Sequence, residues 1–135
     1  MERIFLDANV LFSAAYREDS GLRRIWELSE IALVTSTYAV EEARRNLGTG
    51  EPRLRLDALL VSVQQVAEVA ETELPPTVEL PDKDRPILLA AIRSGAAHLL
   101  TGDVRHFGRY FGETVGGVRI LPPSDFLRSP GNSPP

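Results

Sequence analysis

The chain contains no cysteine, two histidines (His98 and His106) and one lysine (Lys83). Without cysteine there is no disulfide framework, thiolate zinc site or cysteine nucleophile. Two histidines leave no multi-histidine metal centre. No apolar run approaches the roughly 18 residues of a membrane span. Met1–Leu6 passes into Asp7 without the apolar stretch of a secretory leader, so a cytoplasmic protein is expected. A basic excess is missing too: 19 acids stand against 15 bases, a net charge of −4. Taken alone, that balance argues against a nucleic-acid partner, since phosphate binders carry a basic surplus.

What remains is ordinary globular material, 135 residues of which 43% are hydrophobic and 25% charged. One domain over residues 1–128 is expected, with a disordered tail over 129–135 in Ser-Pro-Gly-Asn-Ser-Pro-Pro. Fourteen of the fifteen bases are arginine, a bias that a GC-rich genome explains without a functional cause.

Short apolar runs predict strands at 3–6, 31–35, 66–69, 98–101 and 118–121. Helical spacing predicts helices over 8–16, from Ser20-Gly21 through Leu28, from Ser36 to about Leu47, over 54–66 and over 84–94, with a last turn at 122–127. Residues 74–77, with Pro75 and Pro76, must be irregular. Unalternating apolar strands interleaved with helices predict an α/β fold, a three-layer α/β/α sandwich around a central parallel sheet of four to five strands. Ligands in such sheets sit beyond the carboxyl ends of the strands.

Two strands end in aspartate, at Asp7 and Asp103, so both carboxylates belong to one sheet edge. Each also suits a helix cap. Glu41-Glu42 follows the second strand, and one of the two faces the site. Asp82 and Asp84 precede the helix before Asp103. Clustered carboxylates raise one another's pKa and are kept where a cation neutralises them. Hard oxygen donors select Mg²⁺ or Mn²⁺, which points to phosphate chemistry.

These residues also carry a resemblance. Phe5-Leu6-Asp7-Ala8-Asn9-Val10-Leu11, Thr35-Ser36 with Glu41-Glu42-Ala43-Arg44-Arg45-Asn46-Leu47, Asp84 with Leu88 and Ala91, Leu100-Thr101-Gly102-Asp103-Val104-Arg105-His106-Phe107 and Leu121–Leu127 resemble, in order, the blocks of the PIN-domain family, close to its VapC-type toxin ribonucleases. The resemblance implies metal-binding catalytic acids at Asp7, Glu42, Asp84 and Asp103, with Glu41 and Asp82 as fallbacks. Asn9 and Thr101 would orient those acids. Ala8 departs from the more common threonine after the first aspartate and leaves the acid intact. The implied reaction is Mg²⁺- or Mn²⁺-dependent hydrolysis of RNA. The implied partners are RNA, a second copy of the chain and, for the toxin subclass, a cognate antitoxin protein; a non-toxin RNA-processing PIN nuclease is the alternative.

Arg85, Arg105 and His106 are the candidate substrate contacts, while Arg44, Arg45, Arg53 and Arg55 suit solvated helix faces. His98 reads as a half-buried core residue. Trp26 is a candidate for an interface between copies, although core packing also accounts for it. Tyr38, Tyr110 and Phe111 suit packing better than base stacking. Haloacid-dehalogenase-like and receiver folds are disfavoured, because Asn9 stands where the former needs a second acid and Lys83 lies in an acidic loop. A PIN-like scaffold that binds RNA or protein without cutting has no need of four convergent carboxylates. Setting those four aside leaves 15 acids against 15 bases, so the negative balance is partly the mark of the proposed site.

Overall fold

The computed structural model describes residues 1–67 and 74–128; the expected tail at 129–135 and part of the strand expected at 66–69 lie outside them. Six strands form one sheet among the described residues: β1 (Glu2–Leu6), β2 (Ile31–Ser36), β3 (Val63–Val66), β4 (His98–Leu100), β5 (Thr114–Val115) and β6 (Val118–Leu121). Their order is β3-β2-β1-β4-β6-β5. Every pairing is parallel except β5 with β6. The helices are α1 (Ala8–Tyr16), α2 (Thr37–Leu47), α3 (Glu51–Leu60), α4 (Arg85–Arg93), α5 (Val104–Phe107) and α6 (Pro123–Leu127). They cover both faces of the sheet, which is the expected sandwich. No helix among the described residues is long and apolar enough to cross a membrane.

The central strands are buried because both faces are covered. Ile4, Phe5, Leu6, Val34, Leu99, Leu100 and Ile120 have no exposed surface, and each such side chain contributes about 2 kcal/mol of transfer free energy. Register places Phe5 opposite Val34 on one side and Leu99 on the other. Parallel alignment brings the carboxyl ends of β1 and β4 side by side, and the Asp7 amide donates to Leu100 O at 3.1 Å.

The sheet has six strands where four to five were expected, and the two edges explain the difference. The expected helix over 54–66 stops at Leu60. Val63 continues the Leu56-Leu59-Leu60 spacing, but it pairs with Leu33 and opens β3 instead. Gln64 and Gln65 are exposed at this edge, so β3 lacks the apolar run that marks a buried strand. At the other edge Gly116 and Gly117, at φ +57° and +86°, form a two-residue hairpin turn that returns Val118 onto Val115. Two successive positive φ angles suit that turn and favour glycine. Gly116 is doubly constrained, because an added Cβ would lie 2.7 Å from Ile92 Cδ1. The helix expected after Ser20-Gly21 is a 3-10 helix over Gly21–Glu27, started by Ser20 Oγ.

Elsewhere local chemistry explains the boundaries. Ser36 Oγ accepts from the Ala39 amide at 3.1 Å and starts α2, as expected. Pro86 sits in the first turn of α4, where a missing amide costs nothing. Trp26 packs against the core and its indole N–H donates to Leu59 O at 3.0 Å. Tyr38 and Tyr110 direct their hydroxyls to backbone at Lys83 and Glu79, which is the packing role expected of them.

Candidate metal-binding cleft

A cleft of about 510 Å³ opens at the carboxyl edge of β1 and β4. Asp7, Glu42, Asp84 and Asp103 all line it, and they arrive from four separate segments of the chain. Asp7 and Asp103 follow β1 and β4, Glu42 sits on α2, and Asp84 immediately precedes α4. Glu41 and Asp82 are exposed and take no part in the lining. Adjacent helical residues point about 100° apart, which separates Glu41 from Glu42.

Asp7 is almost fully buried and fully engaged. Its Oδ1 accepts from the Ala8 amide at 2.6 Å. Its Oδ2 accepts from Thr101 Oγ1 at 2.8 Å and from Asn9 Nδ2 at 3.1 Å. Thr101 Oγ1 in turn accepts from the Asp103 amide and from Asn9 Nδ2, both at 3.2 Å, so its hydrogen-bonding capacity is used up. Asn9 Oδ1 accepts from the Gly102 amide at 2.7 Å. Asn9 and Thr101 thus tie the end of β1 to the end of β4 and fix the Asp7 carboxylate between them. Burial pushes the Asp7 pKa up to about 6; the Thr101 and Ala8 hydrogen bonds oppose the rise, and Glu42 and Asp84 add to it.

Asp84 occupies the N-cap position of α4 but makes no capping hydrogen bond. The capping role that its position suggests is therefore not the one it fills. Its carboxylate turns to His106 instead, with Oδ2 3.2 Å from Nδ1. That contact lacks hydrogen-bond geometry, and Asp84 Oδ2 is buried without a hydrogen-bond partner among the described residues. The imidazole proton has a better acceptor in Asp103 Oδ2 at 2.8 Å. Burial raises the Asp84 pKa as well; Lys83 and His106 oppose the rise, and Asp103 reinforces it. Asp103 does cap its helix, accepting from the His106 amide at 3.1 Å. One ligand atom each from Asp84, Asp103 and His106 lies within 4.8 Å of the others.

The donor set fits a hard divalent cation. It offers several carboxylates, one of them with a buried oxygen that has no partner, and burial and mutual repulsion oppose ionisation of two of them until a cation arrives. Asp7, Glu42, Asp84 and Asp103 are the residues that could hold it, with His106 Nδ1 beside the last two.

Phe12, Ser13, Asn46 and Lys83 also line the cleft and were not singled out from the sequence. Ser13 lies four residues after Asn9, and Asn46 four after Glu42, so helical spacing from the chosen residues would have found both. The remaining candidates lie nearby. Arg85, Arg105 and His106 line an adjacent groove of about 480 Å³. Arg44 pairs with Asp57, Arg53 donates to Gly48 O, and Arg55 donates to Ala15 O and Tyr16 O, all outside the cleft. His98 is half-buried against Phe126, at 5.2 Å between ring centroids, and burial lowers its pKa.

With this geometry the comparisons agree. A chain of the crystal structure of VapBC2 from Rickettsia felis, bound to a DNA fragment from their promoter, superposes with a TM-score of 0.68. The match covers 89% of this chain and 98% of that one at 15% identity, which is a likeness of fold. Comparison with curated proteins gives no match. The family model described as PIN domain matches residues 3–105, from the start of β1 through Asp103 and into α5. The chain belongs to the PIN-domain family.

Proposed function

We propose that the protein is a Mg²⁺- or Mn²⁺-dependent endoribonuclease that hydrolyses RNA phosphodiester bonds. We further propose that it acts as the toxin of a type II toxin–antitoxin pair. The observation that carries the nuclease reading is the convergence of Asp7, Glu42, Asp84 and Asp103 on one cleft, with Asp84 Oδ2 buried and without a hydrogen-bond partner among the described residues. Four carboxylates collected at one strand edge repel one another and destabilise the fold, so the arrangement implies a cation.

When bound, a divalent cation supplies Lewis acidity and neutralises charge that collects on a phosphate. The chain's own groups set the geometry. Thr101, Asn9 and the Ala8 amide hold the Asp7 carboxylate in one orientation. The His106 amide and Nδ1 hold Asp103, and Asp84 Oδ2 lies 3.2 Å from the same ring nitrogen without a hydrogen bond to it. Glu42 closes the acidic side from α2. The half-open cleft admits a phosphodiester while its walls remain fixed on strand ends and helix starts. The toxin assignment is supported by family membership and by the fold shared with a chain of a VapBC2 structure. It carries with it an antitoxin partner and a homodimer.

The test is cleavage of total cellular RNA by the purified chain. Fragments are expected with Mg²⁺ or Mn²⁺ and none with EDTA, and D7N is expected to be inactive. Cleavage by D7N at the wild-type rate would overturn the nuclease reading.

A further inference from the structure

The acidic cleft has a basic neighbour. Arg85, Arg105, Arg109 and His106 line a groove of about 480 Å³ together with Glu79. The two depressions have no lining residue in common, but two chain segments, 83–85 and 102–106, contribute to both. Asp84 and Arg85 are consecutive, and one lines the cleft while the other lines the groove. Asp103 lines the cleft, and Arg105 and His106, on the turn it caps, line the groove. His106 stands at the junction, with its Nδ1 held by Asp103.

The arginines differ in availability. Neither Arg85 nor Arg105 has a hydrogen bond or ion pair among the described residues. Arg109 donates to Glu79 Oε2 at 2.8 Å and lies over the Tyr110 ring at 5.6 Å from its centroid. Tyr110 is itself pinned, its hydroxyl accepting from the Glu79 amide at 2.6 Å. Glu79 therefore holds Arg109 back, and Arg85 and Arg105 present unsatisfied guanidinium groups beside a carboxylate-lined cleft.

A polyanion with evenly spaced charges satisfies this juxtaposition. A strand with one phosphate at the acids can continue onto the groove lined by Arg85 and Arg105, and guanidinium groups grip phosphate bidentately. An acidic peptide would satisfy the arginines but has no use for the neighbouring acids. We infer that the Arg85–Arg105 groove carries the sugar–phosphate backbone of a single RNA strand leading from the acidic cleft, with Glu79 limiting affinity by occupying Arg109. The inference rests on the nuclease reading for its substrate, and it deepens that reading by placing the strand.

The test is binding, so that it does not depend on cleavage. In the D7N background, fluorescence anisotropy follows a labelled single-stranded RNA about twelve nucleotides long across a salt series. R85A/R105A is expected to weaken binding at least about tenfold and to reduce the slope of log K against log salt by about 1.4, about 0.7 for each lost phosphate contact. E79Q is expected to tighten binding a few-fold, because it frees Arg109. Arg119→Ala, at the opposite edge of the sheet beside His98, is expected to change neither quantity. Unchanged affinity and slope in R85A/R105A, with native circular dichroism, would overturn the inference, as would weaker binding in E79Q. Displacement of RNA from the wild-type groove by polyglutamate as effectively as by unlabelled RNA would instead mark an acidic protein as its ligand. Absence of metal-dependent cleavage by the wild-type chain would count against the nuclease reading and leave the groove's result standing.

Discussion

Two buried aspartates on the same cleft are held in opposite ways. Asp7, at the end of β1, receives three hydrogen bonds, and one of its donors, Thr101, is itself saturated. Asp84, before α4, gives up the cap its position offers and keeps an oxygen buried without a partner. Burial raises the pKa of both. The difference lies in what opposes that rise: hydrogen bonds from neutral donors at Asp7, and the electrostatic influence of Lys83 and His106 at Asp84. A carboxylate restrained by neutral donors stays in place whether or not a ligand is present. One with a buried oxygen that receives no hydrogen bond has that oxygen ready for a cation. Asp7 thus provides the fixed side of the site, and Asp84 the side that receives no hydrogen bond at its buried oxygen among the described residues.

The largest effect that sharpens this contrast is expected from Asp7→Asn. It removes the best-oriented negative charge in the cleft, so metal-dependent RNA cleavage is expected to fall at least about 100-fold. The metal-free protein is expected to become more stable by about 1 to 2 kcal/mol at neutral pH, because a buried charge disappears. Opposite signs in a cleavage assay and a thermal melt identify a residue kept for function at a cost in stability. A destabilised variant would show that the carboxylate serves the fold.

The pH dependence follows from the same residue. The Asp7 pKa is about 6 in the folded chain against an ordinary 3.8. Between those values the folded state binds the extra proton, so stability falls as pH rises through this window and levels off above it. About two pKa units correspond to about 3 kcal/mol. Asp84, raised by burial, contributes with the same sign. Urea unfolding of the metal-free chain is therefore expected to show lower stability near neutrality than near pH 4. Millimolar Mg²⁺ is expected to restore stability at neutral pH, by mass action on the folded state. A flat profile from pH 4 to 7 in the metal-free chain would break the comparison at its root.

Thr101→Val tests the fixed side directly. The change keeps shape but removes the 2.8 Å donor to Asp7 and the acceptor for the Asp103 amide. Leaving a buried carboxylate short of a donor costs about 2 kcal/mol. Denaturant midpoints are expected to drop accordingly, and the Asp7 pKa to rise further. An unchanged midpoint would show that Asn9 and the Ala8 amide suffice to hold Asp7.

The fixed side was also the legible side. Asp7, Asn9, Thr101 and Asp103 stand at the ends of short apolar runs, and a parallel sheet converts that position into one edge. The three-layer sandwich was legible for the same reason, since β1, β2, β4 and β6 are buried on both faces and show it in composition. The two edge strands were not. In β3, Val63 and Val66 flank two exposed glutamines, and its first residue extends a helical spacing. In β5 there are two residues, which only the Gly116-Gly117 turn betrays. The position of Asp84 was legible, but its conformation was not. Its place before Pro86 signals a cap, and only three-dimensional packing brings His106 near enough to attract its carboxylate. The sequence places His106 among the candidate substrate contacts; three places after Asp103 on a helical turn, it is also within reach of that carboxylate.

The smallest effect is expected at that histidine. Asp103 receives two hydrogen bonds from His106, at 3.1 Å from its amide and 2.8 Å from its ring. His106→Ala removes only the second, so Asp103 stays capped while losing one restraint, and Asp84 loses the ring nitrogen 3.2 Å from its Oδ2. Outer partners of metal ligands are worth about 10- to 100-fold in affinity, and the retained amide bond places this one at the lower end. Mn²⁺ affinity, followed by electron paramagnetic resonance, is expected to fall about tenfold with little change in the melting temperature. His106→Gln, which keeps a side-chain donor, is expected to recover part of the loss. Full affinity in both variants would show that Asp84 and Asp103 need no imidazole between them, and the two sides of the cleft would then differ only in hydrogen bonding around Asp7.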